Sequence, residues 1–227
     1  MNDAPLTIDP FVEPRFGENA FVVSTVDAAG APIGWVIDPS FPPQVDRLLE
    51  HLAGRAVTVE KILLTHGHAD HIAGIDAVRA AFPDAAVMLG APDQPMLADA
   101  NRNLSAPFGL SVTLQARADA DLAPGMPLWL GPFRWQVLDT SGHSPGSRSL
   151  YCPGAGLVIV GDALFAASIG RTDFPGSDHR RLLTNIRDHL FTLPDETVVY
   201  CGHGPTTTIG NERKSNPFLT DSYQRGV

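Results

Sequence analysis

The stretch Thr65-His66-Gly67-His68-Ala69-Asp70-His71 decides how this chain is read. It places His66, His68, Asp70 and His71, all metal-type ligands, almost side by side. Imidazole nitrogen and carboxylate oxygen together suit zinc, iron or manganese. The apolar run just before it, Val57 with Val59, Ile62, Leu63 and Leu64, reads as a buried strand over 57–64. In extended chain successive side chains alternate faces, so His66, His68 and Asp70 are expected to point the same way. His71 falls where the chain is expected to turn into a helix over 72–82, for which Asp70 also reads as an N-cap. The segment can therefore offer ligands in two directions, enough for halves of two neighbouring metal sites.

Working outward, strands are predicted over 16–26 and 33–38, joined by a turn at Asp27-Ala28-Ala29-Gly30. A helix is predicted over 42–52, with proline at its start and Val45, Leu48, Leu49 and Leu52 at helical spacing. A short strand is expected over 86–89. The irregular segment 91–125, rich in Pro, Gly and Asn, reads as an active-site loop or partly helical excursion. Strands follow over 133–138, 149–152, 157–160 and 197–200, with a helix over 178–190 capped by Asp178. Four apolar strands end at a His or Asp beside glycine: His66, His143, Asp162 and His203. Strand ends on one sheet edge would gather these residues, and glycine beside them permits close backbone approach.

The chain has 227 residues and 44% hydrophobic composition, enough for a sizeable core in a single domain over 1–227. Its net charge of −9 disfavours a nucleic-acid-binding surface. No apolar run is long enough to span a bilayer, and the N-terminus does not read as a signal peptide, so a cytoplasmic protein without membrane partners is expected. Cys152 and Cys201 read as reduced, buried thiols, with Cys201 close enough to His203 to line the site. His51, His179 and His189 read as helix-surface residues, and Trp35, Trp129 and Trp135 as core or semi-buried.

In order and spacing, the HxHxDH run, the lone His143, the lone Asp162 and the final His203 resemble the metallo-β-lactamase superfamily. The segments GHSPGS at 142–147, GDALFAASIGRTDFPG at 161–176 and GHGPTTTIGNERKSNPF at 202–218 are similar to its glyoxalase II-like branch, in the short form without a C-terminal helical domain. The resemblance implies an α/β fold, a four-layer αββα sandwich with metals at one edge of the two sheets. It implies one site from His66, His68, His143 and Asp162, and a second from Asp70, His71, His203 and Asp162, with Asp162 bridging. Two divalent metals are implied, zinc first, with iron or manganese as alternatives. Cations ~3.5–4 Å apart can share a water, bring its pKa toward ~7 and polarise a carbonyl. Asp162 and Asp70 are the expected catalytic residues, Asp70 as ligand and proton relay. A thiolate leaves with little protonation, so a small thioester such as S-D-lactoylglutathione is the expected substrate, and a monomer or homodimer the expected state.

Arg171 is expected either to pair with Asp173 or to meet substrate. Arg213 and Lys214 read as a solvated pair or as contacts to a substrate carboxylate. Tyr223 and the tail are candidates to cover the site mouth. The same ligand run also occurs in iron persulfide dioxygenases and in lactonases and other ester hydrolases of the superfamily, and these are the competing readings.

Overall fold

The computed structural model describes residues 5–220. Two six-stranded sheets form its centre. The first contains, in spatial and chain order, β1 (Thr7–Val12), β2 (Asn19–Val26), β3 (Pro32–Ile37), β4 (Thr58–Leu64), β5 (Ala86–Leu89) and β6 (Ala120–Asp121). The second is built from β7 (Pro127–Leu130), β8 (Phe133–Asp139), β9 (Arg148–Cys152), β10 (Leu157–Gly161), β13 (Val198–Cys201) and β14 (Thr207–Thr208). A small hairpin, β11 (Leu164–Phe165) and β12 (Ser168–Ile169), stands apart from both. Helix α1 (Gln44–Gly54) and the short α2 (Ala69–Ile72) and α3 (Ile75–Ala81) cover the first sheet, and α4 (His179–Asn185) and α5 (Ile209–Ser215) cover the second.

Side-chain alternation sorts the apolar residues into three layers of core. On β2, Ala20 and Val22 join Val45, Leu48, Leu52 and Val78 of the helices, while Phe21 and Val23 face the other sheet. Leu63, Trp35 and Ile37 meet Trp135, Leu150 and Ile159 between the sheets. Val158, Val160 and Val199 pack outward on Leu182, Ile186 and Ile209. The order is helix, sheet, sheet, helix, the αββα sandwich expected from the sequence.

Local departures have local causes. The single helix expected over 72–82 is two: the first turn begins at Ala69, and Gly74 separates it from α3. Gly74 donates its N–H to Pro39 O, and a Cβ there would stand 2.6 Å from Ser40 O. The N-cap is His68, with φ −73° and ψ 151°, rather than Asp70, which lies inside the first turn where a carboxylate complements the helix dipole. Asp178 does cap α4, accepting from Arg181 N at 3.0 Å, and a π-helical turn, Ile186–Leu190, extends it. Strand β1 escaped the sequence reading because Pro10 interrupts it, tolerable only because it is an edge strand. Trp35 and Trp135 are core, but Trp129 on edge strand β7 is 56% exposed. No helix among the described residues is long and apolar enough to cross a membrane.

Candidate metal centre

Strands β4, β8, β10 and β13 end on the same side of the sandwich, and each delivers its ligand there. His66 follows β4, His143 follows β8, Asp162 follows β10 and His203 follows β13. Two glycines make the approach possible. At Gly202 a Cβ would lie 2.3 Å from Asp162 Oδ1; Gly142, at φ +138°, would place one 2.4 Å from Leu182 N.

The ligands fall into two groups. His66, His68 and His143 form the first: His68 Nδ1 lies 3.1 Å from His66 Nε2 and 2.9 Å from His143 Nε2. Asp70, His71 and His203 form the second, with His203 Nε2 3.4 Å and His71 Nε2 3.9 Å from Asp70 Oδ2. Asp162 stands between them. Its Oδ1 is 3.4 Å from His71 Nε2, and its Oδ2 is 3.6 Å from His143 Nε2 and 3.5 Å from His203 Nε2. Asp70 does not share a face with His66 and His68 as expected of an extended run. The chain has already turned helical at Ala69, and this sends Asp70 to the second group.

The donors fit a pair of divalent cations. Nitrogens bound tetrahedrally at about 2.0–2.1 Å stand about 3.3 Å apart, close to the spacing of the histidine trio. His71 Nε2 and Asp162 Oδ1 are buried, and neither has a hydrogen-bond partner. Buried polar atoms rarely go unsatisfied without a ligand to meet them.

The opposite edges of four imidazoles are fixed. His143 Nδ1 donates to Arg171 O at 2.8 Å and His203 Nδ1 to Phe16 O at 3.1 Å. Carbonyl acceptors force the proton onto Nδ1 and leave the Nε2 lone pair facing the site. His71 Nδ1 donates to Asp38 Oδ2 at 3.0 Å. Thr65 Oγ1 lies 3.1 Å from His66 Nδ1 and donates to the same Asp38 oxygen at 2.6 Å, while Thr65 N donates to Asp38 Oδ1. Asp38 thus orients both groups from φ +51°, a conformation aspartate tolerates better than most residues. It too follows a strand end, that of β3, the signal by which it could have been found. Glu18, buried behind His71 at 3.8 Å, is lifted well above the ordinary carboxylate range by burial.

Asp93 was also missed, because the irregular loop that carries it has no ligand-type pattern. It is buried and accepts from Gly67 N at 3.0 Å, Ser144 Oγ at 2.5 Å and Gly146 N at 2.7 Å. It therefore ties the loop of His66 and His68 to the loop of His143.

Burial, and then the neighbouring imidazoles, push His66 well below the ordinary value; burial and His143 push His68 down to about 3. Burial would also lower His71 and His203, but carboxylates outweigh it. Asp162 and Asp70 hold His71 well above the ordinary value, and a hydrogen bond to Asp70 with the charge of Asp162 raises His203. Burial opposes ionisation of Asp162, yet His71, His203 and His143 hold it well below the usual carboxylate range.

Other expected residues lie elsewhere. Arg171 pairs with Asp173, at 2.9 and 2.8 Å, the first of its two expected roles. Arg213 and Lys214 do not line the pocket. Arg213 is drawn to Asp195 and to the carbonyls of Phe191 and Leu193, at the end of the α4 segment, and Lys214 Nζ is 4.0 Å from Asp195. Cys201 packs in the outer core on the second sheet instead of lining the site, and burial pushes its thiol up to about 12. His51 is partly buried and bridges α1 to Asp9 of β1. Tyr223 and most of the tail lie outside the described residues.

A family model described as the metallo-beta-lactamase superfamily matches residues 16–203, and the chain belongs to that superfamily. It is 43% identical over 174 residues to a protein named probable metallo-hydrolase YqgX of Bacillus subtilis, covering 76% of this chain and 82% of that one. It is 32% identical over 191 residues to hydroxyacylglutathione hydrolase GloC of Haemophilus influenzae, covering 81% and 86%. Among solved structures, BLEG-1 B3 metallo-beta-lactamase superposes with TM-score 0.86 at 37% identity over 94% of this chain and 100% of that one. TTHA1623 in a di-iron-bound form gives 0.78 at 35% over 93% and 100%, and ETHE1 from Myxococcus xanthus 0.73 at 30% over 93% and 83%. With the His and Asp clusters, these likenesses make the chain a metal-dependent hydrolase of the superfamily.

Proposed function

We propose that the chain is a dinuclear hydrolase of small thioesters, S-D-lactoylglutathione or a related acyl-thiol. One observation carries the reading: Asp162 stands between the two groups, within 3.6 Å of His71, His143 and His203, at the floor of an open pocket. Two bound divalent cations, zinc by our assignment with iron or manganese as alternatives, would acidify a water and polarise the thioester carbonyl. The chain supplies the rest. His66, His68 and His143 would hold one cation, Asp70, His71 and His203 the other, and Asp162 both. Asp70, its side chain partly exposed in the pocket, would also accept a proton from the attacking water. Among the described residues no side-chain nucleophile competes: Ser105 is the serine lining the pocket, and its hydroxyl is spent on Ala100 O. The likeness to GloC supports a thioester substrate; the small-molecule pocket and acidic surface support neither nucleic acid nor membrane as partner.

The test is an aerobic assay of metal-quantified protein with S-D-lactoylglutathione and, in parallel, with glutathione persulfide under oxygen monitoring. Thiol release with about two metals per chain supports the hydrolase. Oxygen uptake with about one iron per chain overturns it in favour of a persulfide dioxygenase, a reading toward which the ETHE1 likeness points. Asp162→Ala should lose at least one metal and nearly all turnover, and retained full activity would refute the dinuclear arrangement.

A further inference from the structure

The pocket above the ligand groups is walled by hydrocarbon. Phe16 and Phe41 pack with ring centroids 5.6 Å apart, and Phe108 stands edge-on to Phe16 at 6.3 Å. Leu104 and Leu110 flank them, and Phe174 closes the far side, edge-on to His68 at 5.7 Å. The floor is His68, Asp70, His143 and Asp162.

The polar residues in the wall are already committed. The Asn103 amide donates to Met96 O and Val112 O, and its Oδ1 accepts from Ser105 N. Ser105 Oγ donates to Ala100 O and accepts from Val112 N. Among the described residues, no lysine or arginine lines the pocket. The nearest guanidiniums lie against the wall rings, Arg15 5.0 Å from the Phe41 centroid and Arg171 4.4 Å from that of Phe174. Each is engaged by a carboxylate of its own loop, Glu13 and Asp173 respectively. Phe108 is nonetheless 61% exposed at the lip, aromatic surface that an apolar ligand would cover.

We infer that this pocket selects thioesters whose acyl group is apolar, an aryl or branched alkyl chain seated among the phenylalanines with its carbonyl over the floor. The inference rests on the thioesterase reading and narrows it. A lactoyl group would leave the rings wet and give its hydroxyl no uncommitted partner in the walls. The carboxylates of glutathione would likewise meet no cation among the described residues that line the pocket.

The experiment uses one neutral thiol, N-acetylcysteamine, carrying acetyl, lactoyl or phenylacetyl groups, and the metal-quantified protein. The phenylacetyl ester should exceed the lactoyl ester by at least ~10-fold in kcat/KM, the scale on which an apolar pocket discriminates. In parallel, calorimetry compares benzyl and methyl ketone analogues, in which CH2 replaces sulfur and no hydrolysis occurs; the benzyl compound should bind at least ~10-fold more tightly. Phe108→Ala should shrink both ratios, while Trp129→Ala, exposed on β7 away from the pocket, should leave them unchanged. Hydrolysis of all three esters with equal or reversed preference overturns the inference and spares the thioesterase. Absence of any hydrolysis together with selective benzyl binding overturns the thioesterase and keeps the apolar subsite.

Discussion

The two groups of ligands are built from different chemistry. His66, His68 and His143 are buried imidazoles, held against one another and braced from outside by Asp93. Asp70, His71 and His203 mix imidazole with carboxylate and open toward the pocket, with the side chains of Asp70 and His203 24% and 27% exposed. Desolvation dominates at His66 and His68 of the first group and keeps them neutral. Carboxylates govern the second and keep its histidines protonated to higher pH. If both groups hold metal as proposed, the contrast implies a division of labour: His66 and His68 would take a metal with little proton release, while His71 and His203 would have to exchange protons for it.

Removing one ligand from each group tests this most severely. His143→Ala should cost both metals and lower turnover by roughly 10³-fold or more, the scale of lost transition-state electrostatics. His203→Ala should leave about one metal per chain, because the buried trio stays intact. Equal metal loss in the two variants would break the comparison.

The pH dependence has a definite sign. Falling pH protonates the second group first, since His71 and His203 sit above the ordinary imidazole value. The first group resists, because His66 is held well below it and His68 at about 3. Protonated nitrogens cannot take a metal. Dialysis against a weak chelator from about pH 8 to about pH 5.5 should therefore remove one metal well before the other, across the ordinary imidazole range. Loss of both in a single step would show that the groups act as one.

Asp93 sharpens the comparison by a smaller effect, because its three bonds reach only the loops of the first group. Asp93→Ala leaves the Gly67 and Gly146 N–H groups buried without an acceptor, at a cost of about 2–4 kcal/mol in thermal unfolding. Affinity for one metal should fall about 10–100-fold, as for other supports of metal ligands. Asp93→Asn, which keeps an acceptor oxygen, should recover part of both losses. Equal weakening of both metals would mean that the brace serves the whole sheet edge.

What the sequence made legible follows the same physics. A candidate ligand at the end of an apolar strand is doubly marked, by its type and by the strand that delivers it; His66, His143, Asp162 and His203 were marked in this way, and the structure brings them together. The four-layer sandwich was legible through the family resemblance, whereas β2 and β4 read only as strands whose neighbouring apolar residues the structure shows serving opposite faces. Asp93 was invisible as a support because a carboxylate that accepts from distant backbone carries no local pattern, while Asp38 ends a strand but lacks the neighbouring glycine that marked the other four. The walls of the pocket come from Phe16, Phe41, the 104–110 loop and Phe174, segments that only the tertiary fold brings together. Arg213 and Lys214 could be read from sequence either as a solvated pair or as substrate contacts, because nothing local shows that Asp195 and the carbonyls of Phe191 and Leu193 are the groups they meet.

Arg213 supplies the smallest effect and a control for both groups. Its guanidinium satisfies the carbonyls of Phe191 and Leu193 where the α4 segment ends and pairs with Asp195, so its work is structural and remote from substrate. Arg213→Ala should cost about 1–2 kcal/mol of stability, the net worth of a few partly exposed hydrogen bonds. Metal content and KM for any hydrolysed thioester should stay within about twofold of the unmodified chain, as expected when no uniform binding is lost. Lys214→Ala, at 75% exposure, should stay within about 0.5 kcal/mol. A rise in KM with unchanged unfolding would instead bring the basic pair back to the substrate and extend the site beyond the apolar pocket.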